Sequence, residues 1–163
     1  MTPAEYVDEI VVPTIVEFLH EPASRRRAYL ACIVTNHVRD HLFTAGKRNV
    51  DDVMRANAYP HFAVVKAVCN GIKHVKRDRS SPIKFGVGED VDPREVALSD
   101  ENGNVLTDEN GDTLTIFNRG RGVENDDSHF ILTDAVTQSI RVFKEQYQDL
   151  LVACDLTTID AAG

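Results

Sequence analysis

Apolar positions recur at spacings of three and four along most of this chain, the repeat of helices with one buried face. The first such run passes through Tyr6, Ile10, Val11, Ile15, Phe18 and Leu19. Thr2-Pro3-Ala4-Glu5 introduces it with a capping threonine, a proline at the first helical position and a glutamate placed to close a capping box. Pro13 lacks an N–H and crowds the preceding turn, which predicts a kink or a split there. A second helix is expected from Ser24 to Ala45, stopped by Gly46. It is apolar on two sides: Ala28, Ala31, Thr35, Val38 and Leu42 on one, and Leu30, Ile33 and Val34, continuing into His37 and His41, on the other. A helix of that kind is expected to be covered on both sides, as the central helix of a bundle.

A short helix starting at Asn49-Val50-Asp51-Asp52 is expected to end before Pro60. The next carries Phe62, Val65, Val68, Cys69, Ile72 and Val75 as its buried stripe. Its other stripe is polar: Lys66, Asn70, Lys73, His74 and Arg77. Helical spacing stops at Arg79-Ser80-Ser81-Pro82. Short apolar runs then alternate with two copies of Asp-Glu-Asn-Gly, at 100–103 and 108–111. Asn-Gly accommodates positive φ at low cost, so a β-hairpin or three-strand meander is expected over about 94–119. A last helix follows Thr133, its expected cap, with Val136, Ile140, Phe143, Tyr147, Leu150, Leu151 and Cys154 as its stripe. The fold class expected is mainly α (α+β): a bundle of about four main helices with the β insert before the last. Residues 1–156 form a single domain in this reading, and 157–163 a flexible tail.

Composition narrows the function classes. The 163 residues suffice for one domain with its own core. No apolar run is long enough to span a bilayer, and Met1–Glu9 has no signal-peptide core, so a cytoplasmic protein without membrane contact is expected. Three widely spaced cysteines, Cys32, Cys69 and Cys154, read as reduced, buried thiols. Only Cys69, near Lys66, Lys73 and His74, has neighbours that could activate a thiol. The net charge of −8 argues against a dedicated duplex-DNA binder. It is unevenly distributed: residues 1–85 carry 13 Lys and Arg against 9 Asp and Glu, and residues 86–163 carry 5 against 17. The basic half suits an acidic partner, including the acidic half of another copy.

Chemistry-bearing spacings are few. His37 and His41, four apart, could share a metal, but Val38 stands where a metalloprotease would carry glutamate, and hydrogen bonding at a half-buried face, with Asp40 near, accounts for both. The Asp-Glu-Asn-Gly repeats lack the sixth-position glycine and closing glutamate of a calcium loop. No metal or other cofactor is expected. The stripe around His74 is the strongest candidate: Lys66, Asn70, Lys73 and Arg77 could bind phosphate groups, and His74 could act as a general acid or base near neutral pH.

Cys69-Asn70-Gly71-Ile72-Lys73-His74 resembles the Asn-x-x-Lys-His segment of small bacterial helical proteins whose earlier helix carries His-x-x-Asp, here His37-Val38-Arg39-Asp40. More distantly it resembles the HEPN superfamily of helical bundles, commonly dimeric, many of them metal-independent ribonucleases. The resemblance implies RNA or a nucleotide as ligand, His74 as acid or base, Asn70 and Lys73 on phosphate, His37 and Asp40 as supports, and a homodimer. Cys69 stands where that family carries an arginine, which weakens charge stabilisation at the phosphate and leaves enzyme activity open. The competing expectation is a non-enzymatic interaction or oligomerisation module, with a protein partner in place of RNA.

Overall fold

The computed structural model describes residues 1–73, 95–97, 115–117, 122–125 and 128–162, with side chains over 1–70 and 131–162. The chain is mainly helical. Helices α1 (Pro3–Tyr6) and α2 (Val12–His20) are joined by a π-helical turn, Val7–Val11. There follow α3 (Arg25–Thr44), α4 (Val50–Asn57) and α5 (His61–Lys73), and after the insert α6 (Leu132–Gln146), α7 (Gln148–Leu151) and α8 (Thr157–Ala162).

The first start signal works as the sequence predicts. Thr2 Oγ1 accepts from the Glu5 N–H at 3.2 Å while the Glu5 carboxylate accepts from the Thr2 N–H at 2.7 Å, which satisfies two orphan donors. The split expected at Pro13 takes another form. Helical backbone continues through Pro13, and the wide turn lies one turn earlier, at Val7–Val11. A π turn loosens the i→i−4 ladder just where proline can neither donate nor tolerate a close carbonyl.

Apolar side chains from α1, α2, α3, α5, α6 and α8 meet in one core, with Phe18, Phe143, Ile15, Leu42, Leu132 and Ile140 fully enclosed. Phe62 of α5 and Phe143 of α6 pack edge to face, ring centroids 5.2 Å apart. Two helices are central: α3, as expected, packs against α1, the π-helical turn and α2 as well as α4, α5 and α6, and α5 packs against α3, α4 and α6. Phe62, Val64, Val65, Ala67, Val68 and Cys69 are all buried, so α5 is enclosed on more than the single stripe its sequence suggests. By contrast α3 buries Ala28, Ala31, Cys32, Thr35, Val38 and Leu42, whereas Leu30, Ile33, Val34, His37 and His41 stay partly open. Its second apolar side is covered only in part, by Tyr6 and the elements around it, and Leu30 remains 37% exposed. The small residues of the buried side let neighbouring helices approach closely, and this decides which side goes inward.

The last helix starts one residue earlier than its expected cap, with Ile131 at the cap position and Thr133 buried within the first turn. The expected flexible tail is also corrected: Thr157–Ala162 forms α8, and Ile159 is buried in the core against neighbours that include α2. One apolar residue in a polar run gives a helix this short its anchor.

Two antiparallel ladders are described between α5 and α6. Glu95–Ala97 (β1) pairs with Thr115–Phe117 (β2), and Gly122–Asn125 (β3) with Ser128–Ile131 (β4). Both Asp-Glu-Asn-Gly segments and Val105-Leu106 lie outside the described residues. No helix among the described residues is long and apolar enough to cross a membrane.

Candidate functional site

A chain of polar contacts crosses the surface from α3 to α5. His37 and Asp40, three apart on α3, share a side of the helix, and His37 Nδ1 lies 2.8 Å from Asp40 Oδ2. The other carboxylate oxygen of Asp40 accepts from Arg39 Nε at 3.1 Å and Nη2 at 3.0 Å. Arg39 Nη1 reaches on to Asp51, 3.5 Å from each carboxylate oxygen. Asp51 sits in the first turn of α4, where the helix dipole favours a negative charge. Its Oδ1 accepts from Lys66 Nζ of α5 at 3.1 Å. Five side chains from three helices are thus linked in one line, all half-buried or more open.

These contacts set the electrostatics. Partial burial would raise the Asp40 carboxyl, but hydrogen bonds from Arg39 and His37, with the Arg39 charge, hold it below its ordinary value. Burial acts against the Arg39 charge too, and is outweighed by the Asp40 hydrogen bond and the Asp51 charge, which raise its pKa. With Asp40 ionised, a neutral His37 carries its proton on Nδ1 and keeps the Nε2 lone pair as its acceptor. That is the orientation a general base requires. Two cations, Arg39 and Lys66, face two anions, Asp40 and Asp51, so the line is neutral when His37 is neutral.

The sequence-selected residues divide between this line and its surroundings. His37, Asp40 and Lys66 belong to it. Asn70, one turn beyond Lys66, is exposed. Lys73 ends α5, and His74 and Arg77 lie outside the described residues. Arg39 and Asp51 escape sequence reasoning: one falls inside the His-x-x-Asp segment and the other resembles an ordinary helix-start acid, and only the packing of α3 against α4 and α5 joins them.

His41 has a different partner. Its ring stacks on Tyr6 with centroids 3.9 Å apart, and the Tyr6 hydroxyl donates to the Val34 carbonyl at 3.1 Å. Burial, with the nearby Asp40 charge and the Cys69 thiol, pushes Tyr6 up to about 12, so the phenol stays protonated as a donor. His41 is lowered, first by burial and then by the positive amino terminus. The two histidines therefore face separate partners, and no group of three metal-ligating side chains comes together among the described residues. All three cysteines are free and buried. This matches their reading as enclosed small hydrophobes, and burial leaves the Cys69 thiol out of reach as a nucleophile.

No family model matches this chain, and no curated protein or solved structure matches it.

Proposed function

We propose that the α3–α5 face of this protein binds RNA or a nucleotide, as the binding surface of a HEPN-like helical module. The observation that carries the reading is the hydrogen-bonded line from His37 through Asp40, Arg39 and Asp51 to Lys66. It ties the His-x-x-Asp segment of α3 to the helix bearing Asn70 and Lys73. In this reading Asn70, Lys66, Lys73 and Arg77 contact phosphate and His74 moves the proton. His37 and Asp40 hold the α3 side of the site in register.

Fluorescence anisotropy with a labelled single-stranded RNA tests it. Saturable, salt-sensitive binding that falls at least tenfold in Asn70→Ala supports the reading; equal curves for wild type and variant reject it. Cleavage of the same RNA, lost in His74→Ala, separates a ribonuclease from a binding module.

A second reading, a protein-interaction module, rests on a different observation. Arg39 and Lys66 are both neutralised by acids, while Leu30, Phe43 and Tyr59 are exposed large apolar side chains. A protein surface tolerates both features; a phosphate site gains from neither. RNA binding that is absent at every salt concentration favours this reading.

A further inference from the structure

The polar line between α3 and α5 has one loosely held member. Asp40 is gripped by three nitrogens, Arg39 Nε at 3.1 Å, Arg39 Nη2 at 3.0 Å and His37 Nδ1 at 2.8 Å. Asp51 is not. Arg39 Nη1 stands 3.5 Å from each of its carboxylate oxygens, the outer limit for a hydrogen bond, and only Lys66 Nζ approaches it well, at 3.1 Å. The Asp51 side chain is also 41% exposed, so it can turn out to water without opening a closed cavity. Arg39 is fixed on α3 by Asp40, and Lys66 projects from α5. With Asp51 turned away, Nη1 and Nζ are left facing the same point. The place an anion would take there is already marked by a carboxylate.

We propose, building on the reading of this face as an RNA or nucleotide site, that Arg39 and Lys66 form a subsite for a terminal phosphate group, which Asp51 fills until the ligand displaces it. The class of phosphate follows from charge. The line holds two cations and two anions, and is neutral when His37 is neutral. An internal phosphodiester carries a single negative charge, so exchanging it for the Asp51 carboxylate replaces like with like and gains nothing. A terminal monoester carries about −1.5 to −2 at pH 7 and offers three acceptor oxygens, more than the carboxylate on both counts. The two acids that neutralise Arg39 and Lys66 thus divide the work. Asp40 sets the guanidinium in place, and Asp51 excludes groups of single charge.

Fluorescence anisotropy on the full-length protein tests this with one internally labelled single-stranded RNA in three forms: hydroxyl groups at both ends, a 5′-phosphate, or a 3′-phosphate. Wild type should bind one phosphate-ended form about fivefold tighter than the hydroxyl-ended form, and Lys66→Gln should lose that preference. Asp51→Asn should bind the phosphate-ended RNA about fivefold tighter than wild type, since no charge has to be displaced. Asp52→Asn removes the same charge from a neighbouring, well-exposed side chain paired with Arg55, and should stay within about twofold of wild type. Equal binding of the three RNAs by wild type overturns the subsite, and that comparison needs no variant to fold. Equal tightening in Asp51→Asn and Asp52→Asn, or none in either, overturns displacement of Asp51. Binding that ignores end phosphates yet falls in Asn70→Ala removes the subsite and leaves the RNA reading of the face standing, whereas no binding of any RNA removes both. A nucleoside monophosphate that displaces the phosphate-ended RNA extends the ligand class to free nucleotides; failure to displace it confines the subsite to RNA ends.

Discussion

The two sides of α3 are made from one continuous stretch of chain, yet they do opposite work. One side presents Ala28, Ala31, Cys32, Thr35, Val38 and Leu42, mostly small and wholly enclosed. The other presents Arg26, Leu30, Ile33, His37 and Asp40, larger, partly open and in part charged. Apolar content alone does not separate them, since Leu30, Ile33 and Val34 are as hydrophobic as anything inside. Size and polarity do. Small residues allow α5 and α6 to pack closely, and an interspersed histidine and aspartate would lose hydration if the other side were sealed in the same core. The comparison teaches that the orientation of a two-sided helix is decided by which side its neighbours can approach.

The sharpest way to break the comparison is to make the same truncation on both sides. Leu42→Ala removes an enclosed side chain and should cost about 2–5 kcal/mol in chemical denaturation, through lost burial plus the cavity left behind. Leu30→Ala should cost less, about 1–2 kcal/mol, because that residue is 37% exposed and its removal leaves no closed cavity. Equal costs would mean the two sides are not different environments. Ala31→Leu probes closeness of approach instead: overpacking an enclosed position should destabilise by about 1–3 kcal/mol. Asp40→Asn should change stability by about 1 kcal/mol or less, since half-exposed ion pairs contribute little, while weakening any function that uses His37.

The smallest effect is a pH dependence, and its sign is definite. The pKa of His41 is lowered in the folded protein from an ordinary 6.5, so the fold holds it neutral. That contribution is complete above 6.5 and is lost as pH falls through the lower folded value. Thermal unfolding between pH 7 and pH 5 should therefore show a decline that His41→Phe, which keeps the stack on Tyr6, reduces. The Asp40 carboxyl, lowered from 3.8, adds its loss only in more acidic solution.

Much of the helical frame is legible in the residues. The Thr2–Glu5 capping box, the buried stripe of α6 from Val136 to Phe143, and the three enclosed cysteines follow from local chemistry and period. The candidate site is legible only in part. His37 and Asp40 are near enough in sequence to be read together, but Asp51 is 12 residues from Arg39 and 15 from Lys66. Nothing in the spacing of the chain announces that these three side chains meet.

The sequence by itself determined where helices begin, which residues are apolar and which side chains carry charge, because capping, period and ionisation act over a few neighbours. Tertiary structure alone decided that α5 is enclosed on more than one stripe, that Ile159 docks the last helix, and that two acids neutralise Arg39 and Lys66. Those outcomes depend on which helices can pack closest and on distances between residues remote in the chain. Local rules cannot contain them.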